Sequence, residues 1–382
     1  MAGNKRINQL QSFEINSIGP EKICNQTCIR RTTNHKPQTT KFCYLRRLMH
    51  GKKEIVLSGI RPTGFVHLGN YFGAIRNWAN MQHEFDCYFC VVDWHSLTTH
   101  PDTKELKENV VRLLSELIGS GLDPEKCVLY IQSDVPEIAE LYLYLNMLAY
   151  KGELEKTTTF KDKVRSHPEN VNAGLLTYPV LQSADILIHR AVKVPVGKDQ
   201  EQHIEMTRNF AERFNYRYGE VFPMPYAFNY GEDLIKIMSL DGNGKMSKSE
   251  NQMNTLYLAD DDEMIRKKIM KAKTDSGPTE PNSKKPEYIE GLFSLLKVVS
   301  NAEVIKKFEA DFNNCNIRYG DMKKQLAEDM VKFITPIRAR ALAMRNDEKY
   351  MKQVMEHGAA KARASAKATL QLVRSAVGLK YY

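Results

Sequence analysis

The sequence has no run of about 18 apolar residues, which excludes a membrane-spanning helix. Its first residues lack the apolar stretch of a secretory signal. It has no Gly-x-Gly-x-x-Gly turn, so dinucleotide-dependent hydride transfer is not supported. No Ser–His–Asp or paired-carboxylate arrangement stands out, so covalent catalysis is not indicated. Cysteine is present without a framework: there are seven, an odd number. Cys24, Cys28 and Cys43 lack the second half of a zinc pattern. Cys87 and Cys90 lie in an apolar run that reads as a strand, where residues three apart face opposite sides and cannot chelate together. No structural metal is expected, and reduced thiols in a cytosol-like compartment are. Acid is scarce in one place. Residues 1–52 carry ten Lys/Arg against Glu14 and Glu21, and the remaining chain carries 45 basic and 44 acidic groups. The net charge of +9 therefore belongs almost wholly to the leader and says little about nucleic-acid binding by the body.

What is present reads as an ordinary globular protein, 382 residues long, 42% hydrophobic and 26% charged, large enough for two folded domains behind a leader. Residues 1–52 form the leader, basic and without sustained periodicity, and are expected to be disordered. Three readings fit it: an organellar transit peptide, an RNA-binding arm, or a start assigned upstream of the true one. The nearness of Met49 to an apolar run at Ile55 favours the last.

From residue 53 to 250 the pattern alternates. Strands are expected at 55–58, 88–92 and 128–132, with helices at 70–83 and 103–119 between them. A helical insertion at 138–164 follows, then a helix at 178–189, a returning strand at 192–196 and a helix at 201–216. This β-α-β-α-β series predicts an α/β fold, a Rossmann-like doubly wound parallel sheet. From 251 to 382 helices are expected at 261–273, 288–299, 322–345 and 348–372 and no strands, making a C-terminal all-α domain. Its end carries Lys361, Arg363, Lys367, Arg374 and Lys380 and no acid, which suits either RNA contact or a solvated helix.

Two segments carry chemistry. Pro62-Thr63-Gly64-Phe65-Val66-His67-Leu68-Gly69-Asn70 falls where the first strand gives way to a helix, the edge at which open α/β sheets bind ligands. Gly64 and Gly69 allow close backbone approach. Helix-start N–H groups near Gly69 and Asn70 favour phosphate, and His67 and Asn70 are neutral donors. Far downstream, Lys245-Met246-Ser247-Lys248-Ser249 follows Asp241-Gly242-Asn243-Gly244. A loop with glycines before paired lysines can bring two ammonium groups onto one polyanion.

Together these segments resemble the two signature sequences of class I aminoacyl-tRNA synthetases, in the right order and separation. The stretches 174–189 and 194–208, with 152–156, 160–163 and 274–277, resemble the tryptophanyl-tRNA synthetases of bacterial and organellar type, over the whole chain from about residue 54. The resemblance implies a tryptophan–tRNA ligase. ATP, as its Mg²⁺ complex, would convert tryptophan to its adenylate, and the acyl group would pass to tRNA(Trp). It implies no editing domain, since a pocket that hydrogen-bonds the indole N–H rejects smaller residues directly. It also implies anticodon recognition by the helical domain and a homodimer, and the lack of a long apolar run leaves no membrane association expected.

Residue by residue, the resemblance assigns Asp185 to the indole N–H, Val194 and Val196 to the ring pocket, Tyr178 and Gln200 to the amino group, and His95 to the pocket. Arg61, Pro62, Thr63, Gly69, Asn70, Gly197, Lys198, Asp199, Ile237, Met246, Ser247 and Ser249 match nucleotide-contacting positions. Lys245, Lys248, His67 and Lys163 match catalytic ones, Lys163 on a mobile helix that reaches the triphosphate. Four positions depart from the family. Gln182 stands where Met is common, Lys198 where an acid is common, Arg61 where Gln is common and Leu57 where Phe is common. Leu57 and Gln182 bear on how tight the ring pocket is.

The readings that compete are a tyrosyl-tRNA synthetase, a non-catalytic synthetase-like RNA-binding protein, and a nucleotidyltransferase of the same superfamily. A cytoplasmic location is expected, or an organellar matrix if residues 1–48 are a transit peptide.

Overall fold

The strand of a parallel sheet is buried on both faces, and the sequence of the second strand shows it: Asp-Cys-Tyr-Phe-Cys-Val, buried at every position after the first. In the computed structural model the described residues are 53–99, 102–166, 168–197, 200–231, 237–247 and 252–381. The leader and its three readings lie outside them. β1 (Ile55–Ile60) pairs in parallel with β2 (Asp86–Val91), which pairs with β3 (Val128–Ile131). On the other side β1 pairs with β4 (Lys193–Pro195), which pairs with β5 (Tyr226–Phe228). The order β3-β2-β1-β4-β5 is the doubly wound arrangement expected. The chain winds outward from β1 through β2 to β3, then returns to build the other side at β4. The switch of direction therefore falls between β1 and β4, and a crevice opens there at the carboxyl ends of the strands.

Alternation along the strands divides the apolar interior in two. Val56, Cys87, Phe89, Val91 and Leu129 face one core, and Leu57, Tyr88, Cys90, Val92, Val128 and Tyr130 face the other. Cys87 and Cys90 thus stand on opposite faces, as their spacing requires.

Helices follow the strands. α1 runs Leu68–Asn70, passes through a π turn at Tyr71–Ile75 and resumes as Arg76–Met81. α2 (Asp93–Ser96) is a single turn, and α3 (Leu106–Gly119) buries Val110, Leu113, Leu114 and Leu117 on one stripe. The insertion contains α4 (Glu137–Asn146), α5 (Lys151–Leu154) and α6 (Thr158–Ser166). α7 (Ala173–Ile188) and α8 (Glu201–Tyr218) flank β4. Then come α9 (Asp262–Lys271), α10 (Glu287–Val299), α11 (Ala302–Asn313), α12 (Tyr319–Asn346) and α13 (Glu348–Val377). Among the described residues beyond 252 there is no strand.

Three elements were not read from the sequence, and the single turn α2 is one of them. β5 has only three residues, two of them exposed, too few to show a period. α11 has a legible start, since the Asn301 side chain accepts from Val304 N.

α13 crosses the outer strand of the sheet. A Cβ at Gly358 would lie 1.7 Å from the Leu129 carbonyl oxygen, so only glycine allows this approach. Beyond the crossing, Ala362, Ala366, Leu370 and Val373 enter the second core. Of the basic groups near the chain end, Arg374 grips Glu140 through two hydrogen bonds and Arg363 donates to the Asp134 carbonyl. That end is therefore docked, with Lys367 and Lys380 left exposed.

Candidate active site

The crevice between β1 and β4 deepens into a cavity of about 700 Å³. Leu57, Ser58, Gly59 and Arg61 come from β1 and its exit, and Val194, Pro195, Val196 and Gly197 from β4 and its exit.

Asp185 lies at the deep end, on α7, 3% exposed. Its carboxylate is held from two sides. Gln132 Nε2 donates to Oδ1 at 2.8 Å and to Oδ2 at 3.0 Å, and His95 Nε2 lies 2.9 Å from Oδ2. Gln132 is itself fixed, because its Oε1 accepts from Trp94 N at 3.1 Å. An acceptor-only carboxylate in a slot walled by Leu57, Cys90, Val92, Ile186, Val194 and Val196 fits an apolar body with one N–H. Gln182, one turn before Asp185, also faces the cavity and makes this wall more polar than apolar packing alone would need.

One helical turn beyond Gln182, Tyr178 OH lies 2.9 Å from His203 Nε2, and His203 Nδ1 lies 2.7 Å from Gln200 Oε1. Gln200 Oε1 can only accept, so His203 donates from Nδ1 and its Nε2 accepts the Tyr178 proton. The Tyr178 oxygen then offers lone pairs to the cavity, which suits an ammonium group. Burial raises the Tyr178 phenol above its ordinary value, against smaller lowering from Thr159 and the Arg61 charge.

The outer end is cationic: Arg61, Lys163 on α6 and Lys245 all line it. Burial, reinforced by the Arg61 charge, holds the Lys163 ammonium below the usual lysine range. Asn70 and Gly69 at the start of α1 line the same cavity.

His67 is buried behind them. Its Nδ1 accepts from Asn70 N at 3.2 Å, and so caps the helix. The Asn70 N–H expected to be open to phosphate is thus used in the cap. The two signature segments touch: a Cβ at Gly69 would meet the His67 ring at 2.9 Å and the Met246 carbonyl oxygen at 3.0 Å. The loop before Lys245 turns through Gly242 and Gly244 at positive φ, with Asp241 accepting from Asn243 N.

The cavity brings together Arg61, Gly69, Asn70, His95, Lys163, Tyr178, Asp185, Val194, Val196, Gly197, Gln200 and Lys245. Pro62 and Thr63 form the turn after β1 and are not part of its wall. Ile237 and Met246 are joined by a backbone hydrogen bond of 2.8 Å, and both side chains are buried in the first core. Ser247 is exposed, and its carbonyl accepts from Thr255 Oγ. Lys198, Asp199, Lys248 and Ser249 lie outside the described residues. Two residues that bear on the site, Gln132 and His203, had been given no role.

The family described as tRNA synthetases class I (W and Y) matches residues 49–335. A tryptophan–tRNA ligase of Porphyromonas gingivalis is 58% identical over 328 residues, covering 86% of this chain and all of the relative. Among solved structures, the tryptophanyl-tRNA synthetase of Campylobacter jejuni complexed with ADP and tryptophan aligns with a TM-score of 0.75 at 31% identity, over 85% of this chain and 99% of its own. That of Mycoplasma pneumoniae aligns at 0.73 and 31%, over 86% and 98%. The fold, the cavity and these likenesses agree, and the chain belongs to the tryptophanyl-tRNA synthetases of class I.

Proposed function

We propose that this chain is a tryptophan–tRNA ligase that works through the cavity at the β1/β4 switch. The observation that carries the reading is the buried Asp185 carboxylate, aimed into an apolar slot and held by Gln132 and His95. Tryptophan would place its indole N–H on Asp185 and its ring between Leu57, Val194 and Val196. Its ammonium group would meet Tyr178 and Gln200. The substrate carboxylate then points toward the cationic mouth.

There its oxygen attacks the α-phosphorus of ATP. A C–O–P bond forms, the bond to the β-phosphate oxygen breaks, and pyrophosphate leaves. Negative charge builds on the α-phosphate and the leaving group. Arg61, Lys163 and Lys245 would stabilise it, joined by Lys248 when the loop closes. Asn70, oriented by His67, and the backbone at Gly69 and Gly197 would seat the nucleotide. Mg²⁺ would arrive as part of the ATP complex. The adenylate then gives its acyl group to the terminal ribose of tRNA(Trp).

Three further assignments belong to the same reading. The helices from 251 onward would recognise the anticodon. Leu143, Met147 and Tyr150 are 56%, 74% and 60% exposed, spaced at one turn along and beyond α4, and would face a second copy in a homodimer. No described helix is long and apolar enough to cross a membrane; a cytosolic site of action, or an organellar matrix if residues 1–48 direct it there, fits the chemistry.

Amino-acid-dependent ATP–pyrophosphate exchange tests the core of this. It should occur with tryptophan, not with tyrosine or without amino acid, and collapse in Asp185→Ala. Exchange with tyrosine would transfer the chain to the sister specificity, and no exchange would remove the catalytic reading.

A further inference from the structure

The strip Thr255–Leu258 lies against both signature segments. On one side Leu68 N donates to Leu256 O at 2.9 Å and Leu258 N to Val66 O at 2.9 Å, with His67 and Tyr257 forming an antiparallel bridge between them. On the other, Thr255 Oγ donates to the Ser247 carbonyl at 2.8 Å. The strip thus fixes where the cationic loop stands relative to the start of α1.

What fixes the strip is Lys268 of α9, 3% exposed. Its Nζ donates to both oxygens of Asp260, at 2.8 and 2.7 Å, and to the Thr255 carbonyl at 2.9 Å. It also lies 4.7 Å from the centre of the Tyr257 ring. Asp260 in turn accepts from Tyr257 N at 2.9 Å, and Arg338 donates to its carbonyl. One buried cation therefore gathers Thr255, Tyr257 and Asp260. A buried ion pair is a weak device for stability, since a well-packed apolar pair serves as well. It is a good device for fixing geometry, because the cation is satisfied only when carboxylate, carbonyl and ring face all converge on it.

We propose that Lys268 is a positioning residue for adenylate formation: through Asp260 and the Thr255 carbonyl it sets the register of the strip, and so the reach of Lys245 to the triphosphate. This rests on the ligase reading above. Lys268 lines no part of the substrate cavity and acts through other groups. Its loss should therefore be felt where ATP is used and not where tryptophan is read.

The test is tryptophan-dependent ATP–pyrophosphate exchange on the full chain, with wild type, Lys268→Met, Thr255→Val, Lys245→Ala and the double variant Lys245→Ala/Lys268→Met. Lys268→Met should lower kcat/KM for ATP on the order of 10- to 100-fold, as a displaced catalytic group does. The KM for tryptophan should stay within about twofold. Thr255→Val keeps the ion pair and removes the hydroxyl that meets the Ser247 carbonyl and the Tyr257 side chain; it should move the ATP parameters in the same direction by less. The double variant should lose little more than Lys245→Ala alone.

Equal losses for both substrates, unchanged ATP parameters, or multiplying losses in the double variant would each overturn the proposal. Should Lys268→Met fail to fold, Thr255→Val decides, and wild-type ATP parameters in that variant reject the idea. A wild type without tryptophan-dependent exchange would refute the ligase reading itself, a different outcome from any of these.

Discussion

Gln132 and Asp185 form a fork: one amide nitrogen lies 2.8 and 3.0 Å from the two carboxylate oxygens, both residues being buried. The amide cannot turn over, because its oxygen is occupied by Trp94 N. Asp185 therefore presents its remaining lone pairs in one direction, toward the cavity. Gln132→Met should leave the carboxylate without this guide and raise the KM for tryptophan roughly 10- to 100-fold, the equivalent of about 1.5–3 kcal/mol for hydrogen bonds to a charged group. The KM for ATP should not move. Parallel increases in both constants would mean that Gln132 serves the fold and not the reading of indole.

Tyr178 is the matching device at the amino end. The His203–Gln200 chain consumes its proton and leaves its oxygen as an acceptor. Tyr178→Phe deletes that acceptor and should cost about 1–3 kcal/mol in kcat/KM for tryptophan. An analogue lacking the amino group should bind wild type and variant alike. If Tyr178→Phe weakens that analogue as much as tryptophan, the ring contact matters and the ammonium contact does not.

Lys245→Ala should behave in the opposite way. Lys245 is exposed and lines the cavity together with Arg61 and Lys163. Its loss removes charge stabilisation that develops as pyrophosphate departs, on the order of 3–4 kcal/mol, so exchange should fall about 100- to 1,000-fold. Tryptophan affinity, measured by equilibrium dialysis, should stay unchanged. A large drop in that affinity would place Lys245 in amino-acid binding instead.

How far these assignments were legible depends on sequence distance. The alternation of strands and helices follows from local periodicity, and the sheet has the doubly wound order it predicts; Tyr178 and Asp185 are assigned through the family resemblance, and the structure puts both, with Gln182, on α7. Gln132 reads only as the residue that ends a strand; its role needs a partner 53 positions away. His203 sits on α8 and gains meaning only because α7 brings Tyr178 beside it. Ile237 and Met246 show the reverse. They sit beside chemistry in the sequence, yet their side chains are buried in the first core and hold the loop from behind.

His189 makes stability depend on pH. Its ring is buried, stacked on Tyr88 with centroids 4.4 Å apart, with Nε2 3.0 Å from Tyr130 OH and Nδ1 3.2 Å from Ser365 Oγ. Burial pushes its pKa down to about 3 from an ordinary 6.5. Below pH 6.5 the unfolded chain binds a proton that the folded chain refuses. The contribution is fully present above that pH and is lost as pH falls toward 3, to a limit on the order of 5 kcal/mol. Thermal unfolding between pH 7 and 4.5 should show a falling Tm in wild type and a flatter profile in His189→Gln. Identical slopes would show that another group governs the acid limb.

The last helix offers a test of the fold itself. Gly358 lets α13 lie directly on the backbone of β3, where an added methyl would overlap the Leu129 carbonyl oxygen at 1.7 Å. Neither side can yield cheaply: the oxygen belongs to a strand paired along its other edge, and the helix is anchored on both flanks by Met351, Ala362 and Ala366. Gly358→Ala should therefore destabilise by about 1–3 kcal/mol or more, as overpacking does, despite the better helix propensity of alanine. Gly320→Ala is the control, also in a helix but with nothing within 4 Å of the added carbon, and should be neutral or stabilising by up to about 1 kcal/mol. Urea unfolding of the pair separates the two effects. If Gly358→Ala proves as stable as Gly320→Ala, α13 does not rest on β3, and the route by which the helical end of the chain closes the sheet would have to be redrawn.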